Sequence, residues 1–197
     1  MLRRMTTLLV GAVLATGLAT AGTVFIAPAF QSVLIGTPVS VDLVYTGIPP
    51  LVGSFDLDIA WAPAILSLTG LSFGTTLGDL GLFEGVGGGG VVAPGLLDIF
   101  EVSFLTIPEL AGLQGVGPIV LATLFFDTIG LGVSPVSFSG APNFELLISD
   151  HLGAVIPSAF DGGAVEVTAP SLVPEPGSIV LLLSGAGALL WFRRRAA

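Results

Sequence analysis

The sequence has no cysteine and no lysine, and its five basic residues, Arg3, Arg4, Arg193, Arg194 and Arg195, all lie at the two ends. Without thiols there are no disulfides, no thiolate nucleophile and no cysteine-bound metal. With a single histidine, a histidine-rich metal centre is excluded as well. From Met5 to Phe192 no residue but His151 can carry positive charge. Such a body cannot neutralise phosphates, so nucleic acid is not a partner. Nor can it build internal ion pairs, except through His151. Charged residues make up 10% of the chain, less than half of the usual proportion of about a quarter.

What remains is apolar and anionic. Hydrophobic residues make up 53% of the 197, and the formal net charge is -9. All the acidic residues lie between Asp42 and Glu166 except Glu175. Setting aside the terminal segments leaves a body of about 150 residues, a size that buries roughly 68–70% of its unfolded surface. One core of that size can hold an exported domain together without disulfides.

The N-terminal segment, residues 1–21, places Arg3 and Arg4 before an apolar stretch from Leu8 and ends in Ala19-Thr20-Ala21. A basic start, an apolar middle and small residues two apart are the three parts of a secretory signal peptide. Cleavage after Ala21 makes Gly22 the first residue of the mature chain. An uncleaved anchor is the alternative.

The C-terminal segment is also tripartite. Residues 170–178 form a linker containing Pro174-Glu175-Pro176, where the prolines prevent regular structure. Residues 179–192 are an apolar run, expected to form a transmembrane helix. Counted from Gly177 the helix is about 24 Å long, slightly short of a ~30 Å hydrocarbon core. Snorkelling arginines and an interfacial Trp191 cover the difference. Residues 193–197 contain Arg193-Arg194-Arg195, which hold that end in the cytoplasm and leave the body on the other side.

This tail closely resembles the PEP-CTERM sorting signal of Gram-negative, exopolysaccharide-producing bacteria. Pro174-Glu175-Pro176, Ile179–Phe192 and Arg193-Arg194-Arg195 carry the resemblance. It implies an exosortase partner, a membrane-embedded enzyme that cleaves near Pro-Glu-Pro. It also implies a precursor held in the inner membrane with a periplasmic body, then a surface or extracellular form.

The body, residues 22–169, reads as strands. Val39–Tyr45 and Ser54–Trp61 alternate apolar and polar residues. Phe55, Leu57, Ile59 and Trp61 point one way, and Ser54, Asp56 and Asp58 the other. Further strands are expected at Val24–Ile26, Val33–Ile35, Leu66–Leu71, Leu97–Phe104, Ile119–Asp127, Val136–Phe138, Phe144–Ile148, Val155–Ile156 and Ala164–Thr168. No segment sustains a helical period, and Ala62–Ile65 suits a single turn. Short strands separated by turns predict an all-β antiparallel sandwich.

The order of these pieces resembles a cohesin domain. The similarity runs from Gly36-Thr37-Pro38-Val39 through Gly53-Ser54-Phe55-Asp56-Leu57, the bend Trp61-Ala62-Pro63, and Val120–Phe126, to Gly163–Val167. The bend has Ala62 where the family often has an aspartate. The resemblance implies a nine-stranded jelly-roll sandwich related to carbohydrate-binding modules, and it transfers no recognition residues.

Three groups could carry chemistry. Asp56 and Asp58 are neighbours on one strand face, which suits glycoside hydrolysis or calcium binding. A solvated outer face is the favoured reading, since the alternation gives both acids one environment. Asp150-His151 sits in a turn-like stretch that lacks a nucleophile elbow, and His151 is expected to be exposed. Gly85–Gly90 contains G-x-G-x-x-G, but Val91-Val92-Ala93-Pro94 follows where a nucleotide site needs a helix. Residues 85–95 are therefore expected to be a flexible loop. No catalytic, cofactor or metal residue is assigned. The sequence supports a non-catalytic surface or matrix protein whose sandwich binds a polysaccharide or a protein. The alternatives are a true cohesin that docks a dockerin and, last, a polysaccharide-degrading enzyme.

Overall fold

A computed structural model describes residues 22–47, 51–140 and 146–170. The expected signal peptide, the Pro-Glu-Pro motif, the C-terminal run and its arginines lie outside these residues. Among the described residues no helix is long and apolar enough to cross a membrane.

Two sheets pack face to face. One has five strands in the order β11 (Ser158–Asp161), β1 (Gly22–Ala27), β3 (Val39–Gly47), β8 (Ile119–Thr128) and β5 (Leu66–Phe73). The other has seven. Its path is β2 (Phe30–Leu34), β12 (Gly163–Thr168), β9 (Gly132–Phe138), β4 (Val52–Trp61), β7 (Leu96–Ser103) and β6 (Gly85–Ala93), with β10 (Leu147–Asp150) also paired to β4. The described residues thus hold twelve strands, not the nine that the resemblance implied. β9 pairs with β4 only at Ile59–Trp61, and β10 pairs with it at Val52–Asp56, so two short strands share one side of β4.

The sandwich closes where the chain changes sheets. β1 lies in one sheet and β2 in the other, and β11 and β12 make the same switch beside them. Both pairs, β1 with β11 and β12 with β2, run parallel. Gly162 and Gly163 form the second corner. A Cβ at Gly162 would stand 2.9 Å from the Val136 carbonyl oxygen, and one at Gly163 would stand 2.8 Å from Ile26 Cγ2. Only bare backbone fits this crossing.

The core follows the alternation read from the sequence. Val39, Val41, Leu43 and Tyr45 are buried along β3, and Phe55, Leu57, Ile59 and Trp61 along β4. Trp61 meets Phe126 edge-on at 5.4 Å between ring centroids and donates its indole N–H to the Leu66 carbonyl at 3.0 Å. Both of its needs, apolar packing and a partner for its N–H, are therefore met.

Two expectations about local structure are overturned. Residues 85–93 form strand β6, where a loop was expected. Its glycines lie flat against β7, and a Cβ at Gly89 would come within 2.5 Å of Ile99 Cγ2. Close approach accounts for Gly85, Gly87 and Gly89, while Gly90 faces open space. A helix also exists, α1 (Ile107–Gln114). The Glu109 carboxylate reaches back to accept from the Thr106 backbone N–H at 2.8 Å and its hydroxyl at 2.6 Å. At the far end Gln114 accepts from Val52 N–H at 3.0 Å and donates to Val52 O at 2.6 Å, which fixes the helix over the start of β4.

Candidate docking face

The outer surface of the seven-stranded sheet is set by the register of three strands. Ser54, Asp56, Asp58 and Ala60 point outward from β4, opposite Val102, Phe100, Asp98 and Leu96 of β7. Beyond them on β6 stand Val86, Gly88 and Gly90. Phe100, Val102 and Val86 are 40%, 39% and 46% exposed. The face therefore combines an apolar stripe with three carboxylates, and the sequence gives it no lysine or arginine to balance them.

The pair Asp56 and Asp58 does not share one environment. Asp56 is exposed, whereas Asp58 is 1% exposed. Asp58 faces the gap between the end of β9 and the start of β10, and the chain leaving β9 bonds beside it, Ser139 N–H to Asp58 O at 2.9 Å. Its Oδ1 is enclosed without a hydrogen-bond partner. Burial, then the charges of Asp98 and Asp56, push its carboxyl up to about 6. The expected solvated outer face is thus corrected at Asp58. Alternation gives the face a side chain points to but not the neighbours that cover it.

The opposite sheet face differs. Asp42 is engaged there by the Thr123 hydroxyl at 2.6 Å, and Phe125 and Val120 are exposed. It carries Asp42, Asp127 and Asp161 on three separate strands, where the other face gathers its three on two adjacent ones.

Asp150 and His151 lie in the turn after β10. The Asp150 carboxylate accepts from Ala154 N–H at 2.9 Å and Leu152 N–H at 2.8 Å, and these bonds hold it below the usual carboxylate range. It is committed to its own turn. His151 is half-buried with Nδ1 enclosed and unpaired, not exposed as expected. The Gly85–Gly90 motif lies within β6, which removes the nucleotide reading. Among the described residues no group of three histidine or carboxylate side chains is placed to hold a metal ion.

One buried acid was not singled out from the sequence. Glu101 of β7 points inward opposite Phe55, is fully buried, and both carboxylate oxygens lack a partner. Burial pushes its carboxyl up to about 7.

No sequence-family description matches this chain, and no curated protein does. Solved structures do match. The CaDoc0917–CaCohA2 complex, with CaCohA2 from Clostridium acetobutylicum, superposes with a TM-score of 0.60 at 20% identity over 75% of this chain and 99% of that one. The sixth cohesin of Acetivibrio cellulolyticus scaffoldin B, in complex with a mutant Cel5 dockerin, gives 0.56 at 19% identity over 76% and 100%. A cohesin module from a Clostridium perfringens family 33 glycoside hydrolase gives 0.57 at 13% identity over 77% and 100%. At these identities the likeness is one of fold. The chain contains an all-β, two-sheet sandwich of the cohesin type.

Proposed function

We propose that this chain is an exported, non-catalytic docking module whose seven-stranded sheet captures a dockerin-bearing protein on its outer face. The observation that carries the reading is the juxtaposition of an exposed apolar stripe, Phe100, Val102 and Val86, with Asp56 and Asp98 on adjacent strands, Asp58 lying buried between them. Apolar contact supplies affinity, and carboxylates select a partner that brings cations or hydroxyl donors. Cohesins of the same fold crystallise in complex with dockerins, which supports a protein ligand over a polysaccharide. Glycosidic chemistry is disfavoured because Asp56 and Asp58 extend from the same side of one strand with no carboxylate wall opposite them, and Asp58 is buried.

The test is binding of purified chain to a panel of dockerin modules from the same organism. One or more should bind saturably, and Phe100→Asp should weaken that binding by at least about tenfold. Failure of every dockerin, or binding indifferent to Phe100→Asp, would reject the reading.

The terminal segments extend the proposal. Cleavage after Ala21 exports the body, and the run Ile179–Phe192 with Arg193-Arg194-Arg195 holds the precursor in the inner membrane until an exosortase acts at Pro174-Glu175-Pro176. These assignments rest on the sequence pattern and its resemblance to PEP-CTERM tails. The docking face would then be presented at the cell surface or outside the cell.

A further inference from the structure

At the end of the sandwich that carries α1 lies a second apolar surface, next to the end of the sheet face where Val86 pairs with Val102. Its centre is a cleft of about 310 Å³ lined by Glu84, Leu105, Pro108, Glu109, Gly112 and Leu113. Phe83 and Phe104 adjoin it: they neighbour Glu84 and Leu105 in sequence, and Phe104 N–H bonds the Glu84 carbonyl at 2.8 Å. Phe83 is 86% exposed and Phe104 63%, while Ile107 and Leu113 of α1 are 52% and 46% exposed.

Phe83 is the least expected of these. Its φ is 60°, in the left-handed region that a bulky side chain rarely adopts, at the end of the 3-10 turn Leu80–Leu82. The fold thus spends conformational strain to hold an aromatic ring in water. Strain of this kind collects at binding sites.

The chemistry of the cleft selects its occupant. Two carboxylates line an apolar hollow; Glu84 accepts from Asp79 N–H at 2.8 Å and Glu109 from Thr106, but the body has no lysine or arginine to neutralise their charge. The anionic body of a second copy, whose arginines all lie at the two ends of the chain, would bring only more negative charge there, and an anionic lipid surface would be repelled in the same way. The described chain ends away from the cleft and begins near it: α1 sits at the start of β4, β12, which runs in the direction of β4, ends at Thr168, and Gly22 pairs with Gly47 just before β4.

We infer that this crown is a second docking site, which takes a cationic amphipathic helix of a partner protein, with an apolar side chain in the cleft and lysine or arginine beside Glu84 and Glu109. Helices dock in grooves through an apolar edge in this manner, and flanking charge sets specificity. The site goes beyond the dockerin reading and does not depend on it.

The experiment titrates the full chain with a synthetic helical peptide bearing a leucine face and an arginine face, alongside a matched leucine–glutamate peptide. The arginine peptide should bind saturably and the glutamate peptide should not. Phe83→Asn and Leu113→Asp should each weaken binding about tenfold or more. Asparagine tolerates the left-handed backbone, so Phe83→Asn should leave thermal stability unchanged or raised. Phe100→Asp, on the sheet face, should leave peptide binding intact. Absence of binding, equal binding of the two peptides, indifference to Phe83→Asn and Leu113→Asp, or loss in Phe100→Asp would each overturn the assignment.

Discussion

Glu101 of β7 stands directly opposite Phe55 of β4 on the inner face of the seven-stranded sheet, a carboxyl paired with a phenyl ring in the core. Its carboxyl lies near 7 in the folded chain against an ordinary 4.5, because burial disfavours the charged form. The unfolded chain therefore releases this proton at a lower pH than the folded one. Stability from this group is full below about pH 4.5 and declines as pH rises to about 7, by on the order of 3 kcal/mol. Denaturant unfolding followed across that range should show the decline, and Glu101→Leu should flatten it and raise stability at neutral pH. A wild-type profile that rises toward pH 7 would contradict the burial of this carboxyl.

Much of this arrangement is legible from the residues, and its exceptions have physical causes. The alternation in Val39–Tyr45 and Ser54–Trp61 identifies β3, β4 and their buried faces, because a pleated strand exposes alternate residues to different solvents. In β7 both alternating sets are apolar: Leu97 and Ile99 on one side, Phe100 and Val102 on the other. Pattern alone gives no face there, so the inward Glu101 and the outward Phe100 emerge only from the register. The strand β6 was hidden by glycines whose fit to β7 is tertiary. The helix α1 carried a visible signal, Thr106 followed three residues later by Glu109, which eight residues of weak periodicity did not reveal as a helix.

Asp58 should titrate well above an ordinary aspartate. Burial is the leading cause and the charge of Asp98 the next, so Asp98→Asn should lower the Asp58 pKa without restoring its ordinary value. Carbon-detected NMR of the carboxyl resonances checks this. An Asp58 titration unmoved by Asp98→Asn would mean that the two side chains do not face each other.

Gln114 ties α1 to β4 through the backbone N–H and the carbonyl of Val52, a buried residue. Gln114→Ala leaves those groups unpaired, at a cost of about 1–3 kcal/mol. Amide exchange should accelerate across α1 and at Val52, while the remainder of β4 keeps its protection. Uniform acceleration throughout the chain would show that the helix is not a separable cap.

Replacing Pro174, Glu175 and Pro176 together by alanine should trap the precursor in the inner membrane with its body folded. On the proposed sorting-signal reading, the apolar run and the arginines would retain the chain, and cleavage would require the Pro-Glu-Pro motif. Fractionation of cells that express the variant gives the answer. Normal release of the triple variant would make the tail a permanent anchor instead of a processed signal.

Capture of a dockerin-bearing protein, as proposed, would occupy the outer face of the seven-stranded sheet. The most direct measurement is amide exchange of the full chain with and without a saturating dockerin module that it binds. Protection is expected on β4, β7 and β6 around Asp56, Asp98, Phe100 and Val86, with Val120 and Phe125 on the opposite sheet unchanged. Protection confined to β3 and β8, or no dockerin-dependent protection anywhere, would contradict it.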